Sequence, residues 1–197
     1  MTQTAEVLTA SRPSYVRLVG VVSAAHFVSH YYIILLAPLM PFVRDAYGVS
    51  YTEIGLAFTA FNIVSAVGQT PAGFLVDRVG ARALLVAGLL TGAAALILAG
   101  LIDSFWMLLA MFALMGVGNT VYHPADYALL SQYVPSERIG QAFSVHTFAG
   151  MLGSAVAPAS LLVMQSQWGW RGAFIGAAVL GIAVAAVLIA FRDNTPV

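Results

Sequence analysis

GFLVDRVGAR, Gly73 to Arg82, packs an aspartate and two arginines into ten residues flanked by long apolar runs. Upstream the chain reads IGLAFTAFNIVSAVGQTPA; downstream it reads ALLVAGLLTGAAALILAG. A charged turn between two such runs marks a point where the chain leaves an apolar layer, meets water and goes back in. Gly73 lets helices approach closely, Gly80 permits a tight turn, and Asp77 can form a charge network with Arg78 and Arg82. The plainer reading is a short polar turn whose arginines mark the positive side of a membrane.

Composition says which layer this is. Of 197 residues, 60% are hydrophobic and 8% charged, against about 25% charged in a soluble domain. So few charges cannot cover a water-facing surface, and the natural solvent is a lipid bilayer. All eight basic residues are arginine and eight acids balance them, so there is no basic field and no nucleic-acid partner is expected. The absence of cysteine excludes disulfides, thiolate metal sites and cysteine nucleophiles.

About 20 apolar residues cross a bilayer as a helix. Six segments qualify: 17–42, 52–76, 82–102, 105–131, 139–166 and 171–191, with tails at 1–16 and 192–197. The expected fold is an all-α integral membrane protein of six transmembrane helices. Arg12, Arg17, Arg78, Arg82, Arg138 and Arg192 then share one side and Arg44 and Arg171 the other, which puts both termini in the cytoplasm. Trp106, Trp168 and Trp170 fall near the outer interface. IGLAF at Ile54 and IGQAF at Ile139 each open a span with a proline near its far end, Pro71 and Pro158. Spans 2 and 5 are therefore equivalent members of two three-helix units that enter from opposite sides, an inverted repeat of the kind found in transporters. Pro38, Pro41, Pro71, Pro124 and Pro158 lie within or at the ends of spans, and Gly150 and Gly153 suit close packing on span 5.

The loop quoted first resembles the signature loop of the major facilitator superfamily in Gly73, Leu75, Asp77, Arg78, Gly80 and Arg82, with Ala81 where a basic residue is usual. The resemblance implies half of a major facilitator fold and a gating latch in this loop. AHFVSHYYIILLAPLMPF and YHPADYALLS are similar to spans 1 and 4 of the fosmidomycin-resistance-like branch, except that His30 stands where that branch often has an acid. GMLGSAVAP, Gly150 to Pro158, looks like a degenerate form of the span 5 motif of exporters. The resemblance also implies that spans 1, 2, 4 and 5 line a cavity, while spans 3 and 6 face lipid.

An ionisable side chain inside a membrane costs roughly 2.5–3.5 kcal/mol, so it is placed on a pathway or paired. His26, His123, Asp126 and His146 all fall on the order of 10–15 Å above the cytoplasmic mouth, with His30 one turn beyond His26. Asn62, Ser65 and Gln69 form a polar stripe on span 2. The expected substrate and proton pathway is therefore His26, His30, Asn62, Gln69, His123, Asp126 and His146, with His123–Asp126 as the responsive pair. No enzyme activity, cofactor or resident metal is expected; Ser144 and His146 lie on different helix faces, which argues against a hydrolase. The function expected is proton-coupled efflux of a small molecule by a half-size secondary transporter in the bacterial inner membrane. A divalent-metal transporter using the His/Asp cluster and a non-transporting accessory or sensor subunit are the alternatives. Six spans cannot enclose a central cavity, so a second six-helix half is expected. It would be supplied by a parallel homodimer, a separate partner, or the remainder of a twelve-span chain.

Overall fold

The computed structural model describes residues 14–190. Apart from residues 14–16, the two expected tails lie outside that range. α1 (Ser14–Ile34), α2 (Leu36–Tyr47), α3 (Tyr51–Val79), α4 (Ala81–Leu101), α5 (Phe105–Asn119), α6 (Tyr122–Tyr133) and α7 (Ile139–Ala190) follow in order. α1 begins inside the segment expected as tail. Four helical stretches are long and apolar enough to cross a membrane: Tyr15–Tyr47, Ala81–Leu101, Phe105–Tyr133 and Ser136–Ala190. The last has 55 residues, enough for two crossings. It turns at Gly169 (φ 71°, ψ 172°), a left-handed position where glycine carries no Cβ penalty. α3 has 29 residues, also enough to cross, and is more polar because of Asn62 and Gln69. The six spans are α1–α2, α3, α4, α5–α6 and the two arms of α7, 139–168 and 170–190.

Prolines explain why two spans are broken. A proline removes the bond to the carbonyl four residues back and clashes with it. Pro38 thus acts on Ile34, where α1 ends, and Pro124 acts on Thr120, just past the end of α5. At both breaks the backbone tightens to a three-residue hydrogen bond, Leu35 N–H to Tyr32 at 3.3 Å and Thr120 N–H to Val117 at 3.2 Å. Pro158 leaves the dihedrals of α7 helical; the turn lies at Gly169. α3 starts from a capping box in which Ser50 and Glu53 bond each other's backbone N–H.

The broken spans 1 and 4 are equivalent in the two inverted three-helix units, and the packing obeys the same equivalence. Span 1 packs on span 5: Tyr31 bonds Ser160 at 2.7 Å, and a Cβ at Gly153 would collide with the Phe27 carbonyl. Span 2 packs on span 4: Asn119 bonds Ser65 at 2.7 Å, and a Cβ at Gly116 would fall 2.6 Å from the Phe61 carbonyl oxygen. Spans 3 and 6 meet each other, with the Arg82 guanidinium on the Leu188 carbonyl at 2.6 and 2.9 Å. Exchanging the units maps the 1–5 contact onto 4–2 and the 3–6 contact onto itself. Trp106 and Trp168 are exposed. Trp170, expected at the interface, is buried against Tyr47 and Phe174 with Arg171 over its ring, and Arg171 pairs with Asp103.

Candidate functional site: a buried carboxylate among four imidazoles

The chain's four histidines meet around one aspartate. His26 and His30 share a face of α1, their ring centroids 4.5 Å apart. His123 and Asp126 come from the first turns of α6, where Pro124 costs no helical bond because first-turn N–H groups have no intrahelical acceptor. His146 comes from α7. Its Nε2 lies 3.0 Å from Asp126 Oδ2, and His26 Nδ1 lies 3.4 Å from the same oxygen. The rings of His26 and His146 stack at 3.8 Å. Asp126 is 0% exposed, His146 1% and His26 4%, while His30 and His123 are half-buried.

Span 5 makes the room. A Cβ at Gly150 would fall 2.6 Å from His26 Cδ2 and 2.9 Å from His30 Cδ2, so only glycine lets both imidazoles rest on α7. One turn on, Ser154 meets His30 Nδ1 at 3.3 Å. Tyr127 closes the other side, its ring 5.6 Å from His123 and 5.9 Å from His146. Sequence reading passed over Ser154 and Tyr127. The available signal was spacing: His146, Gly150 and Ser154 lie at i, i+4 and i+8 on one face.

Several expectations need correction. His123 and Asp126 do not form the pair. Residues three apart on a helix diverge by about 60°, and the Asp126 carboxylate turns toward α1 and α7 while His123 Nδ1 is buried without a partner. Asp126 itself is wholly buried. A bare carboxylate in an apolar layer is too costly to leave uncovered, and the six spans cover it with imidazoles. Asn62 is exposed and bonds its own helix at Phe58, and Ser65 is buried against Asn119. Asn62 and Gln69 have no contact with the imidazoles among the described residues.

An Asp126 Oδ2 held by imidazoles from two other spans ties three helices together. The sequence pattern of the Major Facilitator Superfamily matches residues 22–197. The chain belongs to this superfamily. It is 30% identical over 143 residues to a probable L-galactonate transporter of Escherichia coli K12, covering 73% of this chain and 32% of that protein. It is 26% identical over 171 residues to the fosmidomycin resistance protein of the same strain, covering 86% and 42%. Its fold matches the crystal structure of a bacterial homolog of the human lysosomal transporter Spinster, inward-facing and unoccupied, with a TM-score of 0.76 at 19% identity, over 95% of this chain and 45% of that one. The chain thus spans less than half the length of these relatives. It is an integral membrane protein with the major facilitator half-fold.

In this superfamily chain the Gly73–Arg82 segment is helical up to Val79 and again from Ala81, with Gly80 alone between (φ 96°, ψ 136°). The tight turn at Gly80 is as expected. The close approach at Gly73 is not: a Cβ there meets nothing within 4 Å. Asp77 is exposed and makes no ion pair among the described residues. Arg82 reaches across to the carbonyls that end span 6, where a cation also complements the helix dipole.

Proposed function

We propose that this chain is one half of a secondary transporter that exports a small molecule in exchange for protons by alternating access. It works in the bacterial inner membrane with both termini in the cytoplasm. The observation that carries the reading is the Asp126 carboxylate, wholly buried, with imidazoles of spans 1 and 5 as its polar partners and, among the described residues, no arginine beside it. Adding or removing a proton there changes what holds spans 1, 4 and 5 together. Such a change supplies the differential interaction that an alternating-access equilibrium requires. His30 and His123, half-buried beside it, provide a route for protons, and Asn62 and Gln69 belong to the face that meets the second half. A relative named a fosmidomycin resistance protein supports export. A second six-helix half completes the cavity, a parallel homodimer being the simplest source.

Cells overproducing the chain should accumulate less of at least one compound from a panel of fosmidomycin, other small drugs and sugar acids. A protonophore should abolish the difference. Asp126→Asn should abolish it too, with the variant still inserted at normal abundance. If no compound shows a protonophore-sensitive difference, the reading fails; a difference that survives Asp126→Asn removes Asp126 from coupling.

A further inference from the structure

We propose that His26, Asp126 and His146 form a binding site for a divalent transition-metal ion of the zinc type. The argument is geometric and does not depend on transport. The three residues each offer one ligand atom, and these atoms lie within 4.8 Å of one another. Zinc sits about 2.0–2.2 Å from imidazole nitrogen and carboxylate oxygen, so two ligands of a tetrahedral ion are separated by roughly 3.3–3.5 Å. The Asp126 Oδ2 separations are 3.0 Å to His146 Nε2 and 3.4 Å to His26 Nδ1. Two edges of the tetrahedron are thus nearly in place; the third requires the stacked His26 and His146 rings to turn out of their near-parallel packing, so that both nitrogens point at one centre.

Two buried atoms ask for a further partner. Asp126 Oδ1 has no hydrogen bond, and His26 Nδ1, though close to Oδ2, is not aligned for one. Buried polar atoms are ordinarily satisfied. An ion among the three side chains would satisfy the imidazole nitrogen and draw on the carboxylate, leaving its fourth position to water or to His123, whose ring lies 5.3 Å from that of His26. Two imidazoles and one carboxylate suit zinc, copper or nickel better than magnesium or calcium, which favour all-oxygen sites. His30 and His123, half-buried, lead from the open face to the enclosed three. The ligands come from α1, α6 and α7, so a bound ion would fix three spans against one another. Sequence spacing could not select this trio, because only His26 and His30 stand at a metal-like spacing and His30 is not in it.

The test uses the chain without a polyhistidine tag, purified into lipid nanodiscs and stripped with a chelator. Zinc is titrated in competition with a chromophoric chelator, and cobalt(II) is titrated by visible absorption. Wild type should take up one ion per chain, with the strong visible bands of four-coordinate cobalt. Asp126→Asn and His146→Gln, close in shape to the originals, should each weaken binding by more than about 100-fold, beyond what loss of an outer-shell partner costs. Absence of stoichiometric zinc binding overturns the proposal, as does affinity unchanged in both variants. If either variant fails to insert, the wild-type cobalt spectrum decides: weak bands of six-coordinate cobalt would overturn the site.

Discussion

Gly153→Ala puts the helix packing around the buried carboxylate to a quantitative test. A Cβ at Gly153 would collide with the Phe27 carbonyl oxygen and lie 3.0 Å from its carbon and 3.2 Å from Phe27 Cα, where ordinary contact begins at 3.4 Å. Backbone atoms of a helix cannot swing aside, so α1 and α7 must separate, by on the order of 1 Å. Overpacking of this kind costs about 1–3 kcal/mol. Alanine's better helix propensity offsets little of it, because membrane helices persist in the detergent-unfolded state and the gain enters both sides. The separation also reaches the site. His30–Ser154, a contact of α1 with α7 at 3.3 Å, is already long and would be lost. Reversible unfolding in mixed micelles of dodecyl maltoside and SDS is expected to show a loss of about 2 kcal/mol, within that range. Gly55→Ala, where a Cβ meets nothing within 4 Å, is the control and should be near neutral. If Gly153→Ala unfolds within about 0.5 kcal/mol of wild type, the ordinary scatter of neutral surface changes, the packing argument for span 5 is wrong.

Arg82→Ala removes a guanidinium that holds the Leu188 and Ile189 carbonyls; it should cost about 1–2 kcal/mol in the same assay, with Arg82→Lys recovering only part because lysine lacks the fork. An Arg82→Ala chain as stable as wild type would remove the span 3–span 6 tie. Asn62 is exposed and, among the described residues, bonds its own helix alone, so Asn62→Cys in this cysteine-free chain should crosslink to its twin in native membranes if the homodimer forms. Ser65→Cys, buried against Asn119, should not. No crosslink at Asn62, together with a monomeric mass in mild detergent, would rule out the homodimer in favour of a different second half. For orientation, a cysteine at Asp103 should react with an impermeant thiol reagent from outside intact cells, and one at Glu137 should not; the opposite pattern reverses the topology.

The spans were legible because lipid imposes a one-dimensional rule. Every backbone group in the apolar layer must bond within its own helix, so length and polarity alone delimit the crossings. The prolines were legible for a local reason as well. Pro38 and Pro124 each act on a carbonyl four residues back, and the helices break there. Which side chain meets Asp126 was not legible, since it depends on span 1 lying between spans 4 and 5. Nothing along the chain encodes that neighbourhood. In a soluble helix an apolar stripe reveals the packed face, but α4 and the second arm of α7 are apolar nearly all round, because lipid and protein neighbours are equally so. Packing is then written in small residues, whose meaning appears only once the neighbour is known. Gly73 and Gly150 read alike in sequence. In the fold Gly73 borders open space, and Gly150 is the seat of two imidazoles. His123 was paired with Asp126 because the two are near in sequence. His146, twenty residues away, holds the carboxylate because α7 brings it there, and Gly150 on the same face makes room for His26 beside it. A buried ionisable residue in a membrane chain is thus better matched to a small-residue face on another span than to its nearest polar neighbour along the chain.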